Sequence, residues 1–250
     1  MIVGDKHGAL AAAVECGGEY LSVALASYRV DDRGLAVQPI DCFSEHRGHR
    51  HADVVLGELA GMLKKHGLSA SEIRLVAAGR GPGGFTGVRV GLATAQGLAM
   101  GWDIPFWGVC SLEILALNGV SSSGYVAPMI DARRGQIYAA LYRTEECGMR
   151  TCLSAPEVND PKDVLARYME ISQGAEPEFV GSGATAYGFA ADLEAARHRP
   201  YAERTLALAL SEWHLAGFPS EGMSVDPIYL RPSDAEIDYE RRQAKERGGF

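Results

Sequence analysis

Residues 79–100 read Gly79-Arg80-Gly81-Pro82-Gly83-Gly84-Phe85-Thr86-Gly87-Val88-Arg89-Val90-Gly91-Leu92-Ala93-Thr94-Ala95-Gln96-Gly97-Leu98-Ala99-Met100. The four residues before them, Leu75-Val76-Ala77-Ala78, are short and wholly apolar, the pattern of a buried strand. A strand, a glycine-rich turn and a long apolar helix in succession make an α/β unit. Gly79, Gly81 and Gly84 satisfy G-x-G-x-x-G between strand and helix. A dinucleotide loop also needs an acid at the end of the next strand, and the nearest candidate, Asp103, precedes that strand (106–109). Pro82 removes one loop amide, and no Gly-Lys-Ser/Thr follows, so the stretch is not a Walker loop. Gly81, Pro82, Gly83 and Gly84 are therefore a candidate nucleotide-proximal loop. The competing reading is steric: glycines let strand and helix approach closely.

The helix carries a second signal. From Thr86 to Met100 its only formal charge is Arg89. Gly87, Gly91, Ala95 and Ala99 recur every fourth residue, with Val88 and Leu92 alongside. A helix apolar nearly all round must be covered on nearly all sides, and small residues let a second helix come close. The cover is either the chain's own interior or another chain. We expect the latter: a partner interface of Thr86, Gly87, Val88, Gly91, Leu92, Ala95 and Ala99, joined by Val55, Leu59 and Met62 from an amphipathic helix at 52–66.

Working outward, the chain looks duplicated. An apolar strand at 11–14, Glu15, a glycine turn and a second strand at 21–26 form one hairpin. A strand at 126–130, Asp131, a turn and a strand at 136–142 repeat it. Each half then has a strand ending in Gly-x-Gly, at 75–81 and 178–183. This predicts a duplicated α/β architecture with units at 1–104 and 105–231, the second sending a helix back to the first. The highly charged segment 232–250 is expected to be disordered. Other helices are expected at 162–169, 187–197 and 202–216. Glu15 and Asp131 occupy matching places. They either face one cleft, where paired acids hold Mg²⁺ or move protons, or cap turns at strand ends; the capping role is the preferred one.

Composition bounds the rest. The 250 residues carry a net charge of −8, which disfavours direct capture of a nucleic-acid backbone. Five scattered cysteines with no C-x-x-C spacing read as free thiols of a cytosolic protein. No segment has the length and apolarity of a membrane span, and the first residues are not a secretory signal. His46, His49 and His51 sit in a polar connector and read as solvated side chains, so no metal site is expected.

The 79–99 stretch resembles the hallmark of the TsaB (YeaZ) family. So do 12–25, the run Pro128-Met129-Ile130-Asp131-Ala132-Arg133-Arg134-Gly135-Gln136-Ile137-Tyr138, and Pro227-Ile228-Tyr229-Leu230-Arg231. The resemblance implies an actin-like fold of two RNase-H-like domains in tandem. It implies a non-catalytic role in forming threonylcarbamoyladenosine in tRNA: binding and activating a catalytic homologue, TsaD, with an ATPase, TsaE, joining them. It also implies self-association by the same face when alone, and only indirect contact with tRNA. No cofactor of the chain's own is expected; ATP or ADP at the subunit interface is the one to consider. Where the catalytic homologue has an Asn-His-Leu-Glu-Gly-His metal motif, this chain has Cys110-Ser111-Leu112-Glu113-Ile114-Leu115. Ser111 and Leu115 cannot replace two histidine ligands. This weighs against one alternative, a metal-dependent glycoprotease-like peptidase; the other, an independent ATPase, needs two phosphate loops and a base where the chain offers one loop and two acids. The chain departs from the family where Glu15-Cys16-Gly17 replaces the usual Asp-Thr-Ser.

Overall fold

The computed structural model describes residues 8–18, 20–46, 52–119, 121–145, 150–190, 201–221 and 226–247. Two sheets organise it. The first holds β1 (Ala9–Glu15), β2 (Tyr20–Asp31), β3 (Gly34–His46), β4 (Ile73–Gly79) and β5 (Phe106–Val109) in the order β3-β2-β1-β4-β5. The second holds β6 (Tyr125–Arg133), β7 (Gln136–Thr144), β8 (Arg150–Asn159) and β9 (Glu178–Val180) in the order β8-β7-β6-β9. In each, three strands form an antiparallel meander and a fourth returns parallel to the first. A parallel return needs a crossover. Helix α1 (Ala52–His66) makes it in the first half and α4 (Pro161–Ile171) in the second. The repeated order is the two RNase-H-like halves of an actin-like fold.

Period-two alternation puts the first sheet between two layers. Leu10, Ala12, Val14, Val76 and Ala78 face α1 and α2 (Phe85–Trp102). Ala11, Ala13, Ala24, Leu75 and Ala77 face α6 (Ala202–Leu215), which inserts Leu206, Leu210 and Trp213. Alanines on that side leave room for the tryptophan. In the second sheet, α3 (Ser111–Ala116) packs on one face, and α4 with α5 (Ser182–Ala186) on the other.

The structure corrects the expected domain division. Strand β5 pairs with β4 from Val76↔Phe106 to Gly79↔Val109, so it belongs to the first sheet and the boundary falls after Val109 rather than at 104. Helix α6 comes late in sequence yet covers that same sheet. The charged tail is also corrected: Asp234–Arg247 is a helix, α7. Its start carries a reciprocal cap. The Glu236 carboxylate accepts from the Ser233 amide at 2.7 Å, and Ser233 Oγ accepts from the Glu236 amide at 3.3 Å. Of the helix expected at 187–197, residues 191–197 lie outside the described residues, and 187–190 are turn and bend.

The expected partner interface needs the largest correction. Val55, Leu59, Met62, Val88, Leu92, Ala95 and Ala99 are all buried in the first core, and Gly87 and Gly91 are buried with them. A side chain at Gly87 would strike the Cys16 carbonyl, and a Cβ at Gly91 would lie 3.2 Å from Cys16 Cβ. The stripe is small because the chain's own β1 end presses on it. Of the residues named, Thr86 alone is exposed. Ala95→Glu, with Ala95 wholly buried, is therefore expected to cost several kcal/mol of stability through an unpaired buried charge. Thermal unfolding checks this; an unchanged melting temperature with altered oligomeric state would restore the intermolecular reading.

Candidate functional site

The loop between β4 and α2 is closed by its own neighbours. Gly84 N–H donates to the Gly17 carbonyl at 2.7 Å, Arg80 N–H to the Val109 carbonyl at 2.8 Å, Ser111 N–H to the Gly81 carbonyl at 2.8 Å, and Ile228 N–H to the Arg80 carbonyl at 2.7 Å. Gly81 has φ +87°, a left-handed conformation that favours glycine. A side chain at Gly83 would collide with the Gly17 carbonyl. Gly81 and Pro82 are buried, and Gly83 is partly so. The glycines thus serve close approach, and the Arg80 and Gly84 amides that a phosphate would use are already bonded to carbonyls.

Glu15 lies at the centre of this closure. It is 1% exposed. Its Oε1 accepts from Gly17 N–H at 2.7 Å, and its carboxylate occupies the space that a side chain at Gly79 would need. Neither Glu15 Oε2 nor Ser111 Oγ has a geometrically sound hydrogen-bond partner. Burial raises the Glu15 pKa to about 7, against the lowering effect of the Gly17 and Cys16 amides and the Ser111 hydroxyl. Burial, and secondarily the Glu15 charge, also push the Cys16 thiol far up, so it is not a thiolate nucleophile.

Asp131 is used differently. Its Oδ1 accepts from Arg133 N–H at 2.8 Å, its own N–H donates to Ser182 Oγ at 3.1 Å, and Arg133 lies 3.7 Å away as an ion pair. Each acid bonds an amide two residues on. Both cap the turn of their own hairpin.

A polar cluster that the sequence reading did not find joins the halves. Trp107 Nε1 donates to Glu212 Oε2 of α6 at 2.8 Å, and the Arg80 charge acts on both Glu212 and Glu113 of α3. Burial raises both glutamates, and the Arg80 guanidinium opposes it. Trp107, Glu113 and Glu212 lie 27, 33 and 132 positions from Arg80 in sequence, so no local motif could reveal the cluster. Ser111 and Leu115 are both fully buried. His46 ends β3 with its ring edge-on to Tyr20 at 5.1 Å, while His49 and His51 lie outside the described residues. Among the described residues, no three His, Cys, Asp or Glu side chains converge as a metal-ligand set, and no helix is long and apolar enough to cross a membrane.

One face each of α1 and α2 is turned outward. Met100 is 82% and Leu56 53% exposed. Gly57, Ala60 and Gly61 of α1 and Ala93, Gly97 and Gly101 of α2 are also exposed. A Cβ at Gly57, Gly61, Gly97 or Gly101 would meet open space.

Comparison with known proteins gives the class first. The family described as TsaD, tRNA N6-adenosine threonylcarbamoyltransferase, matches residues 45–190, and solved structures share the fold. The chain is 37% identical over 135 residues to tRNA threonylcarbamoyladenosine biosynthesis protein TsaB of Escherichia coli (strain K12), covering 53% of this chain and 58% of that one. It is 38% identical over 104 residues to the TsaB of Bacillus subtilis (strain 168), covering 42% and 43%. A Pseudomonas aeruginosa structure named YeaZ is 26% identical with a TM-score of 0.66, covering 89% of this chain and 100% of that one. A crystal structure described as an uncharacterized protein with similarity to peptidase YEAZ from the same organism gives 27% and 0.71 over the same coverage. The chain belongs to this threonylcarbamoyltransferase family, on its TsaB (YeaZ) branch. The matched segments span about half the length of these curated relatives.

The buried carboxylate makes stability pH-dependent. The folded state holds the Glu15 proton up to about pH 7, while the unfolded chain releases it near 4.5. The stability this group contributes is fully present below about pH 4.5 and is lost as the pH rises through about 7. Glu15→Gln has no such proton. Its unfolding free energy relative to the parent should rise by roughly 3 kcal/mol between pH 4.5 and 8, measured by chemical denaturation. Parallel pH profiles would show that the carboxylate is not buried as described.

Proposed function

We propose that this chain is a non-catalytic subunit in the formation of threonylcarbamoyladenosine in tRNA, and that it acts by docking the outward face of α1 and α2 on a catalytic homologue, TsaD. One observation carries the reading. The exposed face around Gly57, Gly61, Ala93 and Gly97 is nearly free of protruding side chains, and Leu56 and Met100 stand at it as apolar anchors. Small residues let a partner's helices approach closely, and an exposed apolar patch marks an interaction surface. The interface is thus proposed one helical face away from the Gly87–Ala99 row, on Ala93 and Gly97.

The chain's interior supports a non-catalytic role. The loop amides of Arg80 and Gly84 are bonded to carbonyls, its first acid is buried against Gly79, and Ser111 and Leu115 are packed where ligands would be needed. The net charge of −8 leaves tRNA capture to other subunits, TsaD and the ATPase TsaE. In their absence the same face closes on a second copy, because one patch pairing with itself completes a two-fold dimer.

Reconstitution with threonine, bicarbonate, ATP, tRNA and the other proteins tests this. The chain alone should transfer nothing, and its omission should abolish modification. Gly97→Arg, placed in open space, should weaken association with TsaD by at least about tenfold with an unchanged melting temperature. Modification at an undiminished rate without the chain would overturn the proposal.

A further inference from the structure

The C-terminal residues make contacts that neither half of the duplicated fold requires. Ile228 and Leu230 pack against the second core. Ile228 also bonds the glycine loop through Arg80, and its carbonyl lies 3.2 Å from where a Cβ on Gly81 would be. Next to it, Tyr229 meets the first turn of α2. Its hydroxyl accepts from Arg89 Nε at 2.6 Å, and its ring lies 5.0 Å from Phe85. The Arg89 guanidinium sits 3.7 Å over the Phe85 ring and 5.3 Å from the Tyr229 ring, within cation–π range of both. Beyond Tyr229, Ser233 and Glu236 start α7, and the Glu236 carboxylate is held low by its bonds from Ser233. Further along α7, Asp238 pairs at 2.8 Å with Arg134, at the tip of the β6–β7 hairpin.

We infer that residues 227–238 form a strap that ties the hairpin tip of the second half to the glycine loop and first turn of α2, and that its docking sets the surface which α2 offers to a partner. Arg89 is the only formal charge on α2 between Thr86 and Met100. The Tyr229 hydroxyl and the two rings fold it back toward the helix start. A free arginine has several rotatable bonds and would sweep the neighbouring face, and a charge at the centre of an interface must be desolvated to bind. The strap thus keeps the Ala93–Gly97 surface low and neutral. It also connects that surface to movement of the second half, since the Arg134–Asp238 pair and the Tyr229–Arg89 contact lie on one short segment. The coupling rests on the docking role proposed above; the strap itself does not.

The experiment uses the full chain with Tyr229→Ala and Tyr229→Phe. Tyr229 is 43% exposed, so neither variant threatens the core. Amide hydrogen exchange on the isolated protein reads the strap. In Tyr229→Ala, residues 81–88 should exchange at least about tenfold faster while β1 and β4 keep their protection. Tyr229→Phe keeps the ring contact and should fall between. Unchanged exchange at 81–88, or equal loosening of the whole first sheet, overturns the strap. Affinity for the catalytic homologue reads the coupling and should fall at least about tenfold in Tyr229→Ala. Faster exchange with undiminished affinity overturns the coupling. If the parent chain itself fails to bind, the docking role falls, and hydrogen exchange still decides the strap.

Discussion

The close approach of α2 to the end of β1 fixes the first half of the molecule. Gly83, Gly87 and Gly91 each meet the Cys16–Gly17 backbone or the Cys16 side chain, and Gly79 yields its side-chain space to Glu15. Interiors are packed without room for an added methyl at such contacts. A helix seated this tightly has one register and one rotation. That rotation puts Val88, Leu92, Ala95 and Ala99 inside with Val55 and Leu59 of α1. It leaves Ala93, Gly97 and Met100 outside. The exposed surface follows from how the buried one fits.

The two halves use the same device with opposite outcomes. In the second, Gly181 has φ +109°, and a side chain there would strike the Met129 carbonyl and Leu115, while a Cβ at Gly183 would lie 3.1 Å from the Ile130 carbonyl carbon. Strand β9 therefore enters α5 by the same glycine contact that takes β4 into α2. The acids at the matching hairpins differ. Asp131 keeps a nearby arginine and the Ser182 hydroxyl. Glu15, one methylene longer, is enclosed, with no compensating cation among the causes of its raised pKa. Enclosing a carboxyl favours its neutral form. The first half thereby becomes packing material at the place where the second remains polar.

Much of this was legible in the sequence because it is local. Short apolar runs and the hairpin turns between them gave β1, β2, β4, β6 and β7, and helical spacing gave α1, α4 and α6. The glycine loop's steric role and the turn caps at Glu15 and Asp131 also follow from short-range chemistry. The edge strands β3 and β8 were harder, since each is half exposed and mixes polar with apolar residues. The direction of the α2 stripe could not be read at all. A row of small residues fits any close neighbour, and only the folded chain shows the neighbour to be Cys16. The tail was misread because composition outweighed the Ser233-x-x-Glu236 cap that starts α7. The Arg80–Glu113–Glu212 cluster depends on contacts far apart in sequence.

These features bear on how a duplicated fold becomes a subunit. In a two-domain fold with a cleft, function usually resides between the halves. Here the elements that meet between them serve cohesion: α6 closes the first sheet with Leu206, Leu210 and Trp213, and Trp107 of β5 bonds Glu212 of α6. The outward faces of α1 and α2 are a part of the first half whose side chains the interior leaves unused, and they stay low because Gly57, Gly61, Ala93 and Gly97 carry little or no side chain.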